Sequence, residues 1–156
     1  MTPAINAVKK AKVTYKIHEY AHDSASPSYG LEAAEKLAVD ENRVFKTLVV
    51  SLDNGELAVA IIPVSTTLSM KLIAKSLNAK KAVMADKTDV ERSTGYILGG
   101  VSPIGQKKRL KTVIDSTAKD FASIYVSAGR RGLEIELRAN DLSTLINGKF
   151  AEITNA

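Results

Sequence analysis

At 156 residues, 45% of them hydrophobic and 25% charged, the chain has the ordinary composition of a globular protein and is long enough to bury roughly 70% of its unfolded surface around one core, so an ordered fold is expected and no disulfide or structural metal is needed. It contains no cysteine, which excludes disulfides, thiolate metal sites and cysteine nucleophiles. Its 22 Lys and Arg outnumber its 17 Asp and Glu by five, a moderate excess that favours a polyanionic partner without specifying one.

Residues 1–16 carry four lysines and no apolar run of signal-peptide length, and nothing later approaches a membrane span, so a cytoplasmic protein is expected. No repeat or Pro/Gly/Ser linker interrupts residues 1–156, which read as one domain. Thr2-Pro3 has the form of an N-cap followed by proline at the first helical position, and Ile5, Val8 and Lys12 continue a short helix. Val13, Tyr15, Ile17 and Glu19 then alternate with polar neighbours as in a half-buried strand. A break is expected over residues 23–28, followed by a helix carrying Leu31, Ala34, Leu37 and Ala38.

Residues 44–52 and 57–64 are β-rich runs joined by Asp53-Asn54-Gly55, a hairpin signal, and both are apolar on both faces, as central covered strands would be. A helix over 69–78, a short strand at 82–84 and a helix around 89–93 lead to a glycine-rich segment at 99–105. Strands at 112–114, 123–127 and 133–137, a helix over 141–146 and a tail strand at 150–153 complete the chain. Helices and antiparallel hairpins mix without regular βαβ alternation, so the fold class is α+β with a mixed, strongly curved sheet.

Lys46 shares a strand face with Val44, Leu48 and Val50, where an ammonium is costly unless it reaches a cavity or a partner. Pattern alone leaves two readings: a gatekeeper lysine on an edge strand, or a pocket lysine that binds phosphate, polarises a carbonyl or acts as a base. In the segment 99–111, Gly99, Gly100 and Val101 permit backbone N–H groups to approach an anion or an oxyanion, and the cations Lys107, Lys108, Arg109 and Lys111 follow. A tight connection with a solvated basic face explains the same residues. It matches neither a Walker loop nor a dinucleotide fingerprint. Residues 125–137 read as strand, glycine-flanked turn and strand, with Glu134 and Glu136 on one face, the ordinary pattern of a strand with a wet side. His18 and His22 are four apart but have no third ligand in view, so neither a metal nor a cofactor is expected. No Ser-His-Asp set or carboxylate dyad can be assembled.

Taken jointly, Phe45-Lys46-Thr47, the run from Arg92 to Tyr96 leading into the segment 99–109, and the strand-turn-strand of 125–137 closely resemble the YbaK-type cysteinyl-tRNA(Pro) deacylases. The opening Met1-Thr2-Pro3-Ala4 and the segment ending at Tyr20 extend the likeness over essentially the whole chain. The resemblance implies a twisted mixed sheet closing toward a barrel with helices around it, as in the editing insertion of bacterial prolyl-tRNA synthetases. It implies removal of cysteine from proline tRNA, an error that arises because the two amino acids are too close in size for one pocket to separate. By matching motif, Lys46 stands at the essential lysine, and Tyr20, Tyr29, Thr47, Ser127, Gly129 and Glu134 fall among the pocket residues, Glu134 where an Asp is expected. Lys107, Lys108, Arg109, Lys111, Arg130 and Arg131 are the cations expected to meet tRNA phosphates. A transient complex with prolyl-tRNA synthetase is implied by the family, and no membrane partner is expected. The alternatives are hydrolytic editing of alanyl- or seryl-tRNA and a non-catalytic tRNA-binding module.

Overall fold

The computed structural model describes residues 1–26 and 29–155, so the end of the break expected at 23–28, Pro27 and Ser28, lies outside the described residues. Helix α1 (Pro3–Ala11) starts where Thr2 caps it, its hydroxyl accepting from the Ile5 N–H at 3.2 Å, and ends at Lys12 in the left-handed region. Strand β1 (Tyr15–Glu19) and helix α2 (Tyr29–Leu37) follow. The hairpin of β2 (Phe45–Leu52) and β3 (Leu57–Pro63) turns through Gly55 at φ +88°, whose N–H donates to the Leu52 carbonyl at 2.9 Å. Next come α3 (Met70–Ser76), β4 (Ala82–Met84), α4 (Lys87–Thr94), β5 (Lys111–Asp115), β6 (Ile124–Arg130), β7 (Leu133–Leu137), α5 (Ala139–Ile146) and β8 (Lys149–Ala151). The expected α+β class holds.

The strands form two sheets, an antiparallel one in the order β1-β7-β6 and a mixed one in the order β4-β2-β3-β5-β8. A parallel bridge between Val44 and Tyr125 joins them. The curvature toward a barrel therefore stops at a seam, and the described strands form no continuous hydrogen-bonded ring.

Strand periodicity explains why β2 and β3 are apolar on both faces. Phe45, Val49, Val59 and Ile61 pack into the larger core with α1 and α5, whereas Val50, Leu52, Ala58, Ala60 and Ile62 pack against Ile73 and Ala74 of α3. Ile61 and Ile62 are fully buried on opposite faces, each worth roughly 1.5–3 kcal/mol of transfer free energy. Two irregularities matter for the site. β2 pairs with β3 from Phe45 to Ser51 but with β4 only from Val50 to Leu52, so its first half has one edge without a strand. The β6–β7 register also shifts between Ser127 and Arg130, a bulge that redirects the backbone around Gly129 at φ +109°.

Candidate functional site

A cavity of about 470 Å³ lies along the open edge of β2, closed on its other sides by α2, the glycine-rich loop and the β6–β7 bulge. The edge position explains why Lys46 and Thr47, consecutive residues that point to opposite faces of a strand, both line it. Tyr20, at the end of β1, and Tyr29, the first residue of α2, form one wall; Gly99 and Val101 form another; Ser127, Arg130, Arg131 and Glu134 arrive from the bulged hairpin. Residues far apart in sequence thus converge because two strand irregularities meet at one place.

Two partly or wholly buried ionisable groups of the cavity meet no partner among the described residues. The Lys46 ammonium makes no hydrogen bond or ion pair with any described residue, and burial lowers its pKa. Glu134 is 6% exposed and its carboxyl likewise meets no described donor; burial pushes its pKa up to about 8, so it stands protonated at neutral pH and can donate as well as accept. Tyr20 is pushed up to about 12, first by burial and then by the neighbouring Glu134 charge, and is a neutral hydroxyl throughout the physiological range. The Thr47 hydroxyl is buried with no partner. Unmet polar groups inside a lined cavity are costly in isolation, and a polar ligand that completes them recovers that cost.

The glycine-rich loop behaves unevenly. The amides of Gly99 and Val101 donate to no described acceptor, but the Gly100 N–H is committed to the Ile97 carbonyl at 2.9 Å, and Gly100 does not line the cavity. The expected oxyanion role of Gly100 is corrected accordingly: its lack of a Cβ serves close packing, since one would sit 2.8 Å from Arg130 Cα. Gly129 also stays outside the cavity lining, holding the bulge where a Cβ would strike Tyr96 at 2.7 Å. The Ser127 hydroxyl accepts from the Gly129 N–H at 3.1 Å.

The expected tRNA-facing cations separate into groups. Arg130 is exposed at the cavity. Lys107, Lys108, Arg109 and Lys111 are exposed but line none of it; Lys111 pairs with Glu56 at 3.3 Å, and Arg109 borders two other hollows of about 410 and 220 Å³. Arg131 is turned inward, toward Glu32 at 3.1 Å. His18 pairs with Glu136 at 2.9 Å and does not line the cavity. Sequence reasoning missed Glu32 and Leu98. Glu32 sits one helical turn after Tyr29 in α2, where nothing in the local pattern marks it as buried; Leu98, exposed at 47%, lines the cavity beside Gly99.

The sequence model of the aminoacyl-tRNA editing domain matches residues 26–145. A protein of Enterococcus faecalis that carries the provisional name Cys-tRNA(Pro)/Cys-tRNA(Cys) deacylase is 42% identical over 157 residues, covering 98% of this chain and 93% of its own length. A proline-tRNA ligase of Lactobacillus helveticus is 30% identical over 111 residues, 69% of this chain but 20% of the ligase. A solved structure described as a candidate trans-editing enzyme for prolyl-tRNA synthetase superposes with a TM-score of 0.84 over 100% of this chain and 99% of that one; at 18% identity this likeness shows the fold.

Proposed function

This chain belongs to the aminoacyl-tRNA editing domain family, whose members are aminoacyl-tRNA deacylases, and we propose that its substrate is cysteinyl-tRNA(Pro), with cysteinyl-tRNA(Cys) as a second, cleaved by the substrate's own thiol. The observation that carries this reading is the cavity itself: an unpaired ammonium, an unpaired buried carboxyl and two free amides converge there, and none of its described lining residues is a histidine able to activate Ser127 or Thr47. The relative's name supports the substrate, since at 42% identity it covers nearly the whole chain.

In the proposed step the cysteine sulfur attacks its own ester carbonyl. A carbon–sulfur bond forms, the ester carbon–oxygen bond breaks, and the thiol proton ends on the leaving ribose oxygen, giving cysteine thiolactone and free tRNA without consuming water. Holding thiol and carbonyl in one pose makes attack intramolecular, an advantage of up to several kcal/mol. Lys46, as a cation, grips the terminal adenosine or its phosphate and orients the ester; the Gly99 and Val101 amides face the developing oxyanion; Tyr20, Tyr29, Thr47, Ser127 and Glu134 hold the aminoacyl group. The protein acts as one cytoplasmic domain with a modest positive charge, and proline-tRNA selection comes from a transient complex with prolyl-tRNA synthetase. Among the described residues no helix is long and apolar enough to cross a membrane.

The test is single-turnover deacylation of cysteinyl-tRNA(Pro). Lys46→Ala should lower the rate about a hundredfold or more, on the scale of losing one oriented transition-state-stabilising group. A variant as fast as wild type removes Lys46 from the mechanism.

A further inference from the structure

Arg131, which lines the cavity, is held by a dense set of internal contacts. Its guanidinium pairs with Glu32, NH2 to Oε1 at 3.1 Å and Nε to Oε1 at 3.2 Å, with side-chain exposures of 16% and 3%. The same NH2 donates to the carbonyls of Asp23 at 2.9 Å and Ser26 at 3.2 Å, while Glu32 Oε2 accepts from the Asp23 N–H at 2.6 Å. The guanidinium carbon also lies 4.1 Å from the centroid of the Tyr29 ring. Gly99 presses on that ring too, since a Cβ there would stand 3.0 Å from Tyr29 Cε2.

These contacts form a continuous path. The β6–β7 turn holds Arg131; Arg131 holds both the chain entering α2 and the Tyr29 ring; the ring holds the Gly99 backbone, one of the two free amides in the cavity. Nε and NH2 are committed inside the protein and the side chain is 16% exposed, which leaves NH1 as the one guanidinium nitrogen without a described partner. We propose that Arg131 is a positioning residue, which clamps Tyr29 against Gly99 to fix the oxyanion-facing wall of the cavity and makes no contact with tRNA phosphate. This rests on the deacylase reading above and deepens it. Arg130, exposed at the cavity, is the neighbouring cation free to meet the phosphate.

Two substrates separate the possibilities: cysteinyl-tRNA(Pro), and cysteinyl-adenosine, which has no phosphate. Removing Arg131 alone would strand the buried Glu32, so the variant is Arg131→Met combined with Glu32→Gln, which keeps an acceptor for the Asp23 N–H. A second variant, Tyr29→Leu, removes the stacked ring and leaves the ion pair in place. Each should lower kcat about tenfold on both substrates, leave the salt dependence of KM for the tRNA at the wild-type slope, and give no further loss when combined. Arg130→Met should instead reduce that slope by about one. The proposal is overturned if loss of Arg131 lowers the salt slope while kcat on cysteinyl-adenosine stays at the wild-type value, or if the two variants multiply. Wild-type protein that leaves both cysteinyl substrates intact removes the deacylase reading itself, and the proposal with it; a wild-type rate in the Arg131 variant removes the proposal alone.

Discussion

Lys46 and Glu134 are costly to place, because each is ionisable, partly or wholly buried, and without a partner among the described residues. Lys46 was legible in sequence, since an ammonium in an aliphatic β-run needs a reason. Glu134 was legible only through the family resemblance, because an alternating strand with two glutamates on one side is the ordinary signature of a wet face, and there Glu136 finds partners in His18 at 2.9 Å and Ser123 at 2.6 Å. The buried state of Glu134 has a measurable consequence. Its folded pKa of about 8 lies above the ordinary 4.5, so the folded state holds a proton that the unfolded state releases. The stability this protonated group permits is intact below pH 4.5, declines as pH rises through the window to about 8, and levels off above, a loss on the order of a few kcal/mol. Denaturant titrations at pH 5 and pH 8.5 should show Glu134→Gln losing much less stability than wild type across that interval. Equal losses would mean that Glu134 is ionised in the folded protein.

Among the elements, the hairpin of β2 and β3, the capped start of α1 and the strands of residues 111–137 follow from local pattern, because turn residues and periodicity act over a few positions. What pattern could not supply is how elements meet. The Arg131–Glu32 pair spans 99 residues, and the open edge of β2 exists because β4 is too short to cover it. The bulge at Gly129 shows the same division: the glycine is visible in sequence, but its neighbours Tyr96 and Thr2 come from distant segments. Gly129→Ala should destabilise the protein by about 2–3 kcal/mol, combining a left-handed backbone with a clash in a packed core, read as a lower midpoint in thermal or urea unfolding. An unchanged midpoint would mean that the α1 and Tyr96 packing yields easily.

For the whole molecule, the cavity and the basic segment at 107–111 are separate features. None of its cations lines the cavity, and one of them is already paired with Glu56. A net charge of +5 over 156 residues gives this chain little with which to choose among tRNAs, and the proposed function accordingly assigns discrimination to the acyl group and to a partner. The substrate, in this view, brings the nucleophile that the cavity lacks. That is tested most directly by comparing cysteinyl-tRNA(Pro) with 2-aminobutyryl-tRNA(Pro), in which a methyl group replaces the thiol, under single-turnover conditions with wild-type protein. Rapid release of cysteine as its thiolactone with 2-aminobutyrate retained on the tRNA is the predicted result; release of both acyl groups at the same rate would show that water attacks and would contradict the thiol mechanism.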